Sequence, residues 1–300
     1  MNEKRVTYVG GGTDIMPLLK FGVRDDKDIV FVKDLGVSSA IETEGDTIVI
    51  GAAATLWDLS QSELIRRELP AIAQAAGETA SPQIRNIATI GGNVMQDRRC
   101  IYFNQSLHWR SGLQLCFKTG GAICHQIPNS PVCRAIYYSD VATALLMYDA
   151  EVEFEEAGEN KRTSAAKLIE RHTAQNGLPC EEHLPILVKR FILQRRPAGE
   201  RSGFYKYAMR ATIDFPLINF ALRCGPNGAK FIAGAVSTRP VELVETARLI
   251  ASAASDEEVV AACEQELKKL ARPIKEALIS LAYKRDLYRQ IAFLLPLRQK

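Results

Sequence analysis

"ATIGGNVMQDRRCIYFNQ", residues 88–105, begins as a glycine-rich turn and runs straight into Cys100. Glycines let a backbone approach a ligand closely, and successive N–H groups at a helix start attract phosphate. Three more cysteines follow, Cys116, Cys124 and Cys133, so that four of the chain's seven lie within 34 residues. An even spread over 300 residues would put fewer than one there. A phosphate-type turn that opens into a thiol-bearing loop is the feature to explain.

A second turn of the same kind, "VGGGTD" at 9–14, lies about 80 residues upstream, between the strand "RVTYV" and the helical "IMPLLKFG". It is not a Rossmann fingerprint, because Ile15 stands where the third glycine of G-x-G-x-x-G belongs. It is not a Walker loop either, since no Gly-Lys-Ser/Thr follows. Two such turns in one chain could grip the two phosphates of a dinucleotide from either side.

The cysteine spacing is C-x15-C-x7-C-x8-C. Structural zinc prefers cysteine pairs two to four residues apart, and none occur here. Four thiolates in one irregular loop can instead hold a [4Fe–4S] cluster. Gly112, Gly120 and Gly121 would let backbone N–H groups point at the sulfurs. A cluster, zinc and free thiols all remain open on spacing alone. His125, next to Cys124, reads as a surface or neighbouring histidine rather than a ligand. Cys180, Cys224 and Cys263 are scattered and read as small buried hydrophobes.

The rest of the composition is ordinary: 47% hydrophobic, 24% charged, net charge +3. Such a balance gives no reason to expect nucleic acid. No apolar run reaches the length of a membrane span, and "MNEKRVTYVGGG" lacks the core of a secretion signal. A cytoplasmic protein with reduced thiols is expected.

Along the chain, residues 1–55 read as a small α/β unit. Residues 56–180 read as a larger α+β unit with an irregular insertion at 97–137, and "LWDLSQSELIRRELPAIAQAAGETA" as one or two helices. The polar, turn-rich 155–200 reads as a boundary. Residues 195–300 read as strands followed by helices.

"VGGGTD", "QIRNIATIGGN", "SDVATALLMYDA" and "AGAVSTRP…AYKRDLYRQ" resemble the FAD-binding subunits of molybdenum hydroxylases, which include the flavin parts of xanthine and carbon monoxide dehydrogenases. The insertion, "QDRRCIYFNQSLHWRSG…C…CH…C", is similar to that of the β subunit of 4-hydroxybenzoyl-CoA reductases. The first resemblance implies a three-part FAD-binding α+β fold. The second implies that Cys100, Cys116, Cys124 and Cys133 bind a [4Fe–4S] cluster. Val9, Gly10, Gly11, Gly12, Thr13 and Asp14 would form one pyrophosphate loop, and Ala88, Thr89, Ile90, Gly91, Gly92 and Asn93 the other. Asp140 would lie near the FAD, and Lys206, with Arg210 nearby, in the third part close to the flavin.

The implied role is electron transfer beside a small [2Fe–2S] subunit and a large molybdopterin subunit. A ferredoxin-like or other one-electron carrier would supply the electrons, with reduction of an aromatic acyl-CoA as one outcome and the oxidative direction as the other. No catalytic triad or paired carboxylates stand out. A stand-alone flavoprotein reductase and a zinc-stapled binding module are the competing readings.

Overall fold

The computed structural model describes residues 6–252, 254–276 and 278–298. Arg5, the first residue of the "RVTYV" strand, and the four residues before it lie outside them. Strand β1 (Thr7–Val9) ends at the first glycine turn, helix α1 (Ile15–Lys20) follows, and β2 (Ile29–Phe31) returns parallel to β1. A parallel pair needs such a crossover.

Strands β3 (Ile41–Glu44) and β4 (Thr47–Gly51) form an antiparallel hairpin whose turn uses the positive φ of Gly45. Three helices follow where the sequence reads as one or two: α2 (Leu56–Gln61), α3 (Glu63–Glu68) and α4 (Pro70–Glu78). The breaks have local causes. Thr55 makes a capping box with Asp58, Ser62 caps α3, and Pro70 occupies the first turn of α4. Short helices α5 (Pro82–Arg85) and α6 (Ile90–Val94) lead through the second glycine turn.

The cysteine insertion is irregular apart from α7 (Leu107–Arg110) and one 3-10 turn. A two-way backbone bridge closes its neck, Arg99 N–H to Ile136 O at 2.8 Å and Ile136 N–H to Arg99 O at 2.9 Å. Helix α8 (Asp140–Met147) then precedes β5 (Glu151–Glu156), β6 (Glu159–Ser164), α9 (Ala165–Gln175) and β7 (Leu187–Gln194). The segment read as a boundary therefore holds two strands and an amphipathic helix. Its polar residues mislead because β6 is an edge strand and α9 exposes one face. Strand β7 pairs with β4 and β5, giving the five-stranded order β3-β4-β7-β5-β6. The hairpin 41–51, grouped by sequence with the first glycine turn, thus joins a sheet completed 140 residues later.

Strands β8 (Arg201–Tyr207), β9 (Ile218–Gly225), β10 (Gly228–Gly234) and β11 (Val241–Glu242) form an antiparallel sheet, followed by α10 (Val244–Ala251), α11 (Asp256–Leu270) and α12 (Leu281–Asp286). Ala75 and Ala76 of α4 and Leu145 of α8 share one core with Phe204, Ala221 and Ile232 of this sheet and with Ile48, Ile50 and Phe191 of the five-stranded one. The middle helices are packed between two sheets, and the second glycine turn sits at their edge. Among the described residues no helix is long and apolar enough to cross a membrane.

Candidate functional site

The two glycine turns touch. A Cβ on Gly10 would overlap the Thr89 hydroxyl, and one on Gly11 would overlap the carbonyl of Ile87. Gly12 has φ +73°, which glycine adopts without strain. Thr89 also caps α6 by accepting from the Gly92 N–H at 3.1 Å. The turns are therefore one interlocked structure, built from segments about 80 residues apart.

Together they wall one cleft of about 310 Å³. Val9, Gly10, Gly11, Gly12, Thr13 and Asp14 line it, as do Ala88, Thr89, Gly92 and Asn93. Ile90 and Gly91 do not. Ile90 is in the core, and Gly91 faces Ala52, because the helical turn of α6 points them inward. Arg24, Arg99 and Phe215 also line it, and nothing in the sequence singles them out. Phe215 comes from the loop between β8 and β9, with the Arg99 guanidinium 5.0 Å from its ring centre. Asp26 holds Arg24, its Oδ2 accepting from Nε at 2.6 Å, and Asp14 holds Arg99; two guanidiniums so fixed beside N–H-rich turns suit a diphosphate.

Asp140 and Lys206 form a buried ion pair at 2.9 Å, set one residue behind the cleft wall. Ser139, beside Asp140, donates to Asn93 Oδ1 at 2.6 Å. Lys206 donates to the Glu78 carbonyl at 3.0 Å, next to Thr79 in the wall. Asp140 also accepts from Asn219 at 2.6 Å. Burial still pushes its carboxyl above the ordinary range, against the pull of Lys206. Arg210 is exposed and ties to Asp214 and Ile213 within its own loop, away from the cleft.

Cys100, Cys116, Cys124 and Cys133 all line a single small cavity of about 20 Å³. All four are free. No three of them bring their sulfurs within 4.8 Å of one another. That spread disfavours one zinc ion, whose thiolates sit about 2.3 Å from the metal. A four-iron cluster holds its four thiolates farther apart. Backbone N–H groups do point at the sulfurs, Phe103 to Cys100 at 3.3 Å and Ala135 to Cys133 at 3.5 Å. They are not contributed by Gly112, Gly120 or Gly121. Gly120 instead ends a 3-10 turn at φ +86°. Burial pushes the Cys100 thiol up to about 11. His125 spends its Nε2 on the Gln114 carbonyl at 2.8 Å.

Cys224 and Cys263 are buried, as read from sequence. Cys180 is not: it is half-buried on a turn beside Asp25 and Glu181.

The cleft and the cavity are joined by one short segment. The Asp97 N–H donates to Asp14 Oδ2 at 3.1 Å, and Arg99 also pairs with Asp14. Asp97 in turn accepts from the buried Lys118 ammonium of the cysteine loop at 2.6 Å. Burial opposes the Asp97 charge, but Lys118 holds it below the ordinary carboxylate range.

Residues 1–182 match the family model described as the FAD binding domain in molybdopterin dehydrogenase. The aldehyde oxidoreductase FAD-binding subunit PaoB of Escherichia coli (strain K12) is 29% identical over 241 residues, 78% of this chain and 75% of that protein. The xanthine dehydrogenase FAD-binding subunit of Escherichia coli O157:H7 is 27% identical over 231 residues, 77% of this chain and 65% of that protein. Among solved structures, a chain of the carbon monoxide dehydrogenase from Hydrogenophaga pseudoflava superposes with TM-score 0.73 at 18% identity. It covers 98% of this chain and 89% of that one. A chain of quinoline 2-oxidoreductase from Pseudomonas putida 86 gives 0.73 at 16%, covering 98% and 90%.

Proposed function

The chain belongs to the family of FAD-binding domains in molybdopterin dehydrogenases, and from that premise we propose that it is the flavin and iron–sulfur electron-transfer subunit of a molybdenum-dependent oxidoreductase. The observation that carries the reading is the pair of interlocked glycine turns walling one cleft with Arg24 and Arg99. Gly10 to Asp14 and Thr89, Gly92 and Asn93 would hold the FAD pyrophosphate. Lys206 and Asp140 would fix the polar floor behind it. Phe215 would close one side against water.

The donor set of the cysteine loop fits a [4Fe–4S] cluster better than a single ion. Four thiols line one cavity, and no three of their sulfurs are close enough together for a shared ion. The cavity is narrow, so its walls would spread on loading. When bound, the two groups would supply exchange of electrons between an external one-electron carrier and partner clusters. Asp14, Asp97 and Lys118 would hold the two sites in fixed relation. The resemblance of the insertion to that of 4-hydroxybenzoyl-CoA reductases favours a ferredoxin-like carrier and reduction of an aromatic acyl-CoA. The oxidative direction uses the same residues. The partners would be a small [2Fe–2S] subunit and a large molybdopterin subunit. The thiols of the cysteine loop suit a cytoplasmic setting, where they stay reduced.

The test is the absorption spectrum and cofactor content of the chain purified without oxygen. FAD with about four irons and four sulfides per chain supports the reading. FAD without iron removes the cluster, and the absence of both removes the proposal.

A further inference from the structure

Arg98 is 3% exposed, two residues before Cys100. Its Nη1 donates to the carbonyls of Cys133 and Ala135, both at 3.3 Å. Its backbone N–H donates to Asn176 Oδ1 at 3.2 Å, which pins the residue. Its Nε is buried with no partner. Among the described residues, no carboxylate forms an ion pair with it. Asp97, its neighbour in sequence, is occupied by Lys118 at 2.6 Å. Gly177 makes room for the guanidinium: a Cβ there would overlap Nη2 and lie 3.4 Å from Cβ of Cys133.

The neck of the cysteine loop therefore buries two cations, Arg98 and Lys118, against one carboxylate, Asp97. A guanidinium taken out of water without an anion is costly, and proteins rarely tolerate one. The guanidinium lies against Cys133, whose carbonyl it meets at 3.3 Å, and Arg98 stands two residues from Cys100 in the chain, so it borders the cavity that the four thiols line. A neutral thiol cannot offset a cation, whereas a thiolate can. Four thiolates around an iron–sulfur core carry a net negative charge in both oxidation states, and one-electron reduction adds one more.

We infer that Arg98 is the built-in counter-charge of the cysteine cavity and that it raises the reduction potential of the cluster held there. A fixed buried cation stabilises the more negative, reduced form over the oxidised one, and net charge and burial are known controls on such potentials. The inference rests on the cluster reading above. It assigns Arg98 a task that neither the fold nor the flavin cleft requires.

The experiment uses the full-length chain, reconstituted with iron and sulfide without oxygen. Iron and sulfide are counted, and a reductive titration is followed by electron paramagnetic resonance. Arg98→Met removes the charge at similar length, and Arg98→Lys retains it. The Met variant is expected to reduce at least tenfold less favourably, which is about 59 mV for a one-electron couple. The Lys variant should recover most of that loss, which a purely structural role would not predict. An iron-loaded Met variant with the wild-type potential overturns the inference. If the Met variant holds no iron, Gly177→Ala decides, because its Cβ would overlap Nη2 and push the guanidinium aside without changing the charge. A lowered potential then supports the counter-charge, and an unchanged one overturns it. Wild-type chain that takes up no iron or sulfide overturns the cluster reading and this inference together. That outcome is distinct from a loaded variant whose potential does not move.

Discussion

The ammonium of Lys118 lies 2.6 Å from Oδ1 of Asp97, with the two side chains only 2% and 5% exposed. Lys118 also donates to the Arg98 carbonyl at 2.8 Å and sits 4.1 Å from the centre of the Phe103 ring. One residue thus ties the cysteine loop to the segment that leaves the second glycine turn. The Asp97 N–H carries the tie on to Asp14 of the first turn at 3.1 Å. A buried ion pair and one carboxylate thus link the two candidate redox sites.

Breaking that pair from one side should be severe. Asp97→Asn or Lys118→Met leaves an uncompensated buried charge, at a cost of about 3–5 kcal/mol. The double variant Asp97→Asn/Lys118→Met should recover part of this, with a coupling above roughly 1 kcal/mol. Urea unfolding of the four proteins measures it. Additive single effects would mean the pair is not a unit.

Acid should destabilise the fold through His172. It is buried, and its Nε2 meets the Gln96 carbonyl at 3.0 Å. Burial lowers its value from 6.5 to about 4. In that window the unfolded chain binds a proton that the folded chain refuses, so stability falls as pH drops from 6.5 toward 4. The loss from this group reaches roughly 3 kcal/mol by pH 4. His172→Gln should flatten the profile between pH 6.5 and 4. A variant that tracks the wild-type slope there counts against the assignment.

Gly11 tests the interlock of the turns. Its missing Cβ leaves room for the Ile87 carbonyl, not for ligand, so Gly11→Ala should cost about 1–3 kcal/mol by forcing the turns apart. Bound FAD should drop in parallel. Arg99→Met, by contrast, should weaken FAD by roughly tenfold while changing melting little, since its partner Asp14 is not fully buried. Equal FAD content in Gly11→Ala and wild type refutes the interlock as the basis of binding.

Thiol replacement separates the two sites. Cys116→Ser or Cys133→Ser should abolish cluster iron and ferredoxin-dependent reduction while leaving FAD content and dye reduction largely intact. Full ferredoxin-dependent turnover by a cluster-free variant would show that electrons do not enter at the cysteine loop.

Sequence alone determined the parts that local chemistry controls. The two glycine turns are legible because only glycine relieves the crowding at Gly10 and Gly11 and the positive φ at Gly12. The cysteine insertion is legible from clustering, and its neck at Arg99 and Ile136 falls within the 97–137 read from composition. Hidden from sequence were pairings that depend on distant partners. Polar β6 and amphipathic α9 read as linker because one is an edge strand facing water and the other buries a single face, and which face is covered is settled only by packing. The hairpin at 41–51 found its sheet only when β7 arrived. Arg98, Asp97 and Lys118 look like ordinary solvated charges in the string "QDRRC" and near Cys116. Burial gives them meaning, and burial is set by the closed neck of the loop packed against α9. The same residues exposed to water would contribute almost nothing, because water screens the charges that the folded interior leaves facing one another.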